Sequence, residues 1–88
     1  MNILDRANRI VNERSEEKAR EYGPFADSME RMRDLFNAMT GHSCSTEDMY
    51  KAMIAMKLSR EAHKHKEDNL LDIAAYVGAL NNYIENGT

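Results

Sequence analysis

An all-α fold follows from three features of this 88-residue chain: apolar residues recurring three and four apart, no alternating strand-like run, and a single proline among only four glycines. The first traces one face of a helix at about 3.6 residues per turn, and the other two leave few signs of strands or frequent turns. The pattern predicts a compact bundle of about four helices in one domain over residues 1–88, closed by a C-terminal helical hairpin.

The first helix places Ile3, Leu4, Ala7, Ile10 and Val11 on one stripe and runs into the charged stretch from Glu13 to Glu21. Gly23-Pro24 breaks it, because proline lacks the amide hydrogen that a continuing helix needs. A second helix, about Phe25 to Met39, carries Met29, Met32, Leu35, Phe36 and Met39 in the rhythm of a buried stripe, with Gly41 as its C-terminal cap. Ser45 followed by Thr46, Glu47 and Asp48 reads as an N-cap with acids in the first turn, so a third helix begins near Thr46 and runs to about Ala62. His63-Lys64-His65-Lys66 is expected to turn the chain. The fourth helix, about Glu67 to Ile84, has Leu70, Ile73, Val77, Leu80 and Ile84 along one side, and Asn86-Gly87-Thr88 is a fraying end.

The net charge of -3, from 12 basic and 15 acidic residues, provides no general attraction to DNA, RNA or an anionic membrane, so any basic surface must be local. A lone cysteine, Cys44, excludes an internal disulfide, and His63 with His65 is a poor metal motif. Neither a signal peptide nor a membrane span is readable in MNILDRANRIVNE, which predicts a cytoplasmic protein. A domain this short buries only about 60 to 65% of its unfolded surface, so a homo-oligomer is expected.

Lys57, Arg60, Glu61, Asp68 and Asp72 fall on helix faces expected to be buried, where charges are costly unless paired or ligand-bound. Lys57 lies between Met53 and Tyr50 in an apolar arc that Arg60 and Glu61 extend; Asp68 and Asp72 line up with Ala75, Tyr76, Ala79 and Tyr83. One reading is a salt bridge from Lys57 or Arg60 to Asp72 that fixes hairpin register. The other is a nucleotide pocket: Lys57 and Arg60 bind phosphate, Asp68 or Asp72 orients a base or ribose hydroxyl, and Tyr76 stacks, with Lys66 and Asn69 in the same set. Arg14, Lys18, Arg20 and Tyr22 form a second basic strip with an aromatic at its end. Interleaved Glu13, Glu16, Glu17 and Glu21 also explain that strip as a solvated helix face. Most methionines are expected as core filler, and Cys44 with His42 two residues away is a poor nucleophile pair.

The pattern D-x-x-x-x-M-x-x-x-K-x-x-R over Asp48–Arg60, followed by H-K-x-D-N-x-x-D-I-A-x-Y over His65–Tyr76, resembles a family of small bacteriophage proteins, as does the upstream segment ending in Tyr22-Gly23. More distantly, the segments Lys57–Lys64 and Asn69–Asp72 are similar to the two acidic motifs of MazG-like all-α nucleoside triphosphate pyrophosphohydrolases, E-E-x-x-E and E-x-x-D, which hold magnesium. Carried over, the first motif falls on Arg60, Glu61 and Lys64 and the second on Asn69 and Asp72, so only Glu61 and Asp72 keep the acid. Cations in place of carboxylates oppose a magnesium ion and welcome a phosphate.

The expected function is therefore non-enzymatic nucleotide binding, with the resemblance to phage proteins implying sequestration of a host cyclic-nucleotide immune signal. The enzyme alternative is a magnesium-dependent pyrophosphohydrolase with Glu61, Asp68 and Asp72 as ligands. A third is a small inhibitory protein docking its methionine-rich face on a host protein.

Overall fold

The computed structural model describes residues 2–9 and 25–87. Among them the chain is all-α, with four helices: α1 (Ile3–Arg9), α2 (Phe25–Thr40), α3 (Thr46–His63) and α4 (Glu67–Asn86). The three helices after the first lie within two residues of their expected bounds, and His63–Lys66 turns the chain as expected. Ile10, Val11, the charged stretch and the Gly23-Pro24 break lie outside the described residues.

Local chemistry explains the boundaries. The Asn2 side chain accepts from the Asp5 amide at 2.9 Å and so caps α1. α2 ends at Gly41, whose φ of +76° is open to glycine at little cost and whose amide donates to the Asn37 carbonyl at 2.9 Å. Ser45 and Asp48 form a reciprocal capping box: the Asp48 amide donates to Ser45 Oγ at 3.1 Å, and the Ser45 amide donates to Asp48 Oδ2 at 2.9 Å. The Ser45 backbone amide first, and the Ser45 side chain second, hold the Asp48 carboxyl below its ordinary pKa. Gly87, expected to fray, instead caps α4 in the left-handed conformation, its amide donating to Tyr83 at 2.8 Å.

Two clusters hold the helices. Met29, Met49 and Tyr50 are buried between α2, α3 and α4, with Phe25, Met53, Tyr76, Ala79 and Tyr83 packed around them. Ala7 of α1 is buried against Leu71 and Ala75 of α4. Polar links complete the α2–α3 joint: Arg33 donates to Thr46 Oγ1 at 2.8 Å, and the Asn37 amide bonds both backbone groups of Cys44 at 2.9 Å.

The expected apolar stripes face this core only in part: Ile3, Ala7, Met29, Met32 and Leu80 pack on it, whereas several of their largest residues turn away. Leu4 of α1 and Leu35, Phe36 and Met39 of α2 are exposed, Met39 to 84%. On α2, the line that meets α3 runs through Ala26, Met29, Arg33 and Asn37; Leu35 and Met39 project more than about 90° away from it. Likewise α4 turns Asp72, Tyr76, Ala79 and Tyr83 inward and leaves Leu70, Val77 and Ile84 exposed. Small and aromatic residues share these seams with Met29, Met49 and Leu71, while other bulky aliphatics stay exposed.

Candidate functional site

The α3–α4 hairpin gathers most of the charged residues singled out above. Lys57 Nζ lies 3.0 Å from Asp72 Oδ2, with side chains 16% and 30% exposed, so the pair joins the two helices in a half-buried position. One turn further along α3, Glu61 governs the connection into α4. Its carboxylate pairs with His65, accepts from the Lys66 backbone amide at 2.9 Å and lies 3.4 Å from the buried Asn69 side-chain nitrogen. These donors, His65 first and the Lys66 amide second, hold the Glu61 carboxyl below its ordinary pKa. Lys66 is the N-cap residue of α4 and makes no side-chain cap, so Glu61 reaches over from α3 to satisfy its amide.

Tyr76 follows Asp72 by one turn and packs its ring on Phe25, with centroids 5.6 Å apart. Burial, followed by the Asp72 charge, pushes its phenol pKa up. Phe25 also meets Tyr50 at 5.7 Å, so α2 enters the fold directly beside this hairpin.

Two expectations about burial need correction. Arg60 is exposed, and no described carboxylate pairs with it. A residue three along a helix lies about 60° round from Lys57, enough to carry Arg60 from the seam onto its rim. Asp68 is also exposed, one turn before Asp72, where the hairpin opens toward its loop. The half-buried charges are therefore Lys57, Glu61 and Asp72. Of the remaining candidates, Lys66 is exposed, while Arg14, Lys18, Arg20 and Tyr22 lie outside the described residues.

The hairpin is locally basic although the chain is acidic. Residues 57–66 hold Lys57, Arg60, Lys64 and Lys66 against Glu61 alone, and His63 and His65 lie among them. Arg60, Lys64 and Lys66 all reach solvent at this end. The magnesium alternative finds no ligand set: among the described residues no three His, Cys, Asp or Glu side chains are grouped to hold a metal ion. Asp72 is neutralised by Lys57, Glu61 is occupied by the turn, and Asp68 is exposed. His42 stacks on Phe36, at 6.0 Å and 17°, while Cys44 is held through its backbone by Asn37.

Sequence reasoning missed the role of Glu61 as the fastener of the turn. A signal was present, since an acid four residues before a histidine faces it on a helix, and His65 sits just where the helix stops. It also missed Arg33 and Asn37, polar residues on the α3-facing side of an otherwise apolar helix.

The fold and site together define a small all-α domain whose C-terminal hairpin is locked by an internal ion pair and presents a basic end. The chain belongs to the family described as a domain of unknown function, DUF6378, whose model matches residues 2–84. No curated protein and no solved structure matches the chain. No helix among the described residues is long and apolar enough to cross a membrane.

Proposed function

We propose that this protein binds a nucleotide through its phosphates at the basic end of the α3–α4 hairpin and holds it without turning it over. The observation carrying this reading is Arg60, an exposed guanidinium with no described carboxylate partner, one turn from Lys57 and on the same end as Lys64 and Lys66. A planar fork of donors suits a phosphate, and its neighbours add to a positive field that an acidic chain otherwise lacks. Asp68, exposed on the facing helix, is placed to accept from a ribose hydroxyl or base amine. Retention without hydrolysis is supported by the engagement of Glu61 and Asp72 in internal bonds, which leaves neither carboxylate free to hold a catalytic metal.

The likeness of the Lys57–Arg60 and His65–Tyr76 motifs to small phage proteins extends the proposal to a use: sequestration of a host nucleotide signal, cyclic dinucleotides and ADP-ribose-type signals being the first to test. The purified chain would be titrated with each by calorimetry, then heated, and the released ligand analysed by mass spectrometry. The expected result is binding, return of the ligand unaltered, and affinity lowered about 10- to 100-fold by Arg60→Ala, the range for losing one charge-assisted hydrogen-bonding partner. A ligand returned as hydrolysis products, or no binding by any candidate, would sink the proposal.

A further inference from the structure

The first helix also reaches the basic end of the hairpin. Ile3 and Ala7 of α1 pack on α4 around Leu71 and Ala75, and one turn before Leu71 the Arg6 guanidinium pairs with Glu67 through Nη1. Their side chains are 39% and 61% exposed, and an ion pair so open to solvent adds little to stability. The apolar contact already seats α1, so anchorage alone does not account for the arginine. Glu67 opens α4 between Lys66 and Asp68. The antiparallel hairpin then fixes which side these groups share. From the Lys57–Asp72 contact, three residues forward on α3 turn Arg60 about 60° off the seam, and four back on α4 turn Asp68 about 40° off it. In antiparallel right-handed helices those two rotations run toward the same side, and Leu71 and Ala75, beneath α1, lie on that side as well.

We infer that Arg6 is a second phosphate-binding arginine of this site, and that the ligand carries two linked phosphoryl groups, as a nucleoside diphosphate does. The inference rests on the nucleotide reading above and narrows it. Arg6 keeps donors to spare, since a guanidinium has five N–H bonds and Glu67 engages one of its nitrogens. Arg60 is exposed and has no described carboxylate partner. One phosphoryl group suits one planar fork, so two arginines from different helices, on the side that carries Glu67 and Asp68, suit two groups joined through an oxygen. A single phosphate leaves one fork idle. Glu67 is then a positioning residue that holds Arg6 over the start of α4, while its charge opposes that of the ligand. Glutamine in its place retains an acceptor oxygen for Arg6 and removes the opposing charge.

Titrating the isotope-labelled full chain with inorganic phosphate and with pyrophosphate, at constant ionic strength, tests this through the arginine Nε–Hε signals. The wild type is expected to bind pyrophosphate about tenfold more tightly than phosphate, with the signals of Arg6 and Arg60 both shifting. Arg6→Lys keeps the charge and the pairing with Glu67 but loses the fork, and should bring the two affinities within about threefold of each other. Arg60→Ala should weaken both anions. Glu67→Gln should tighten pyrophosphate binding, whereas an arginine that only anchors α1 predicts that this change weakens it. Circular dichroism melts of each variant separate lost binding from lost structure. A preference for pyrophosphate that survives Arg6→Lys, or a Glu67→Gln protein that binds it less tightly, overturns the inference and leaves the nucleotide reading standing on Arg60. A wild type in which neither arginine responds to either anion removes both.

Discussion

At 3.0 Å, with side chains 16% and 30% exposed, Lys57 and Asp72 stand between the two regimes of ion pairs. Pairs in full solvent contribute less than about 1 kcal/mol, whereas a fully buried pair costs about 3–5 kcal/mol when one partner is removed. A half-buried pair should fall between, so Asp72→Asn is expected to destabilise the chain by about 1–2 kcal/mol, chiefly by leaving Lys57 desolvated without a partner. Replacing both by apolar residues, Lys57→Met with Asp72→Leu, should cost less than the sum of the single changes. Urea unfolding of the four proteins measures this coupling, and strictly additive effects would remove the pair as a determinant of hairpin register. The double variant also separates stability from ligand binding: with Arg60 intact, phosphate recognition weakens only to the extent that Lys57 itself takes part.

At the scale of the element, helix ends carry the information that the apolar stripes do not. Gly41 holds φ at +76°, and a Cβ built there would meet nothing within 4 Å, so Gly41→Ala isolates backbone strain from crowding. The left-handed conformation costs an L-residue about 1–2 kcal/mol, which in a chain of this size lowers Tm by at least about 4 °C. An unchanged melting temperature would mean that the α2–α3 loop had found another conformation. The Gly41 cap, the Ser45 start of α3 and the turn at His63–Lys66 were legible because each depends on a few neighbouring residues. The facing of α2 and α4 was not. Periodicity identifies Met32, Leu35, Phe36 and Met39, or Leu70, Val77 and Ile84, as one side of a helix without stating what that side meets. In this fold the intrachain seams take Met29, Met32, Leu71 and Leu80 together with Ala26, Ala75, Ala79, tyrosines and an ion pair, and leave Leu35, Met39, Leu70, Val77 and Ile84 exposed. The candidate site was legible to a similar depth: Lys57–Asp72 formed as one of two stated readings, but a rotation of about 60° placed Arg60 on the rim, beyond what residue type alone reveals.

Across the whole molecule, α2, α3 and α4 converge on Tyr50, which is only 1% exposed and meets Phe25 at 5.7 Å and Tyr83 at 5.5 Å. Burial, with the nearby Tyr83 and Glu30 adding to it, pushes its phenol pKa up to about 12. A folded-state pKa above the unfolded value of about 10 means that the fold favours the protonated phenol. Its contribution is therefore complete below about pH 10 and is lost as pH rises from there toward 12, where the unfolded chain ionises first. Tyr76, raised in the same direction by burial and by Asp72, adds to the effect from the adjoining helix. Because the ring joins three helices, the loss should be felt as a cooperative weakening of the fold. Urea midpoints at pH 8 and pH 11, read by circular dichroism, should fall for the wild type and fall less for Tyr50→Phe, which keeps the aromatic packing but has no proton to release. Equal falls in the two proteins would show that the three-helix junction does not resist ionisation of Tyr50.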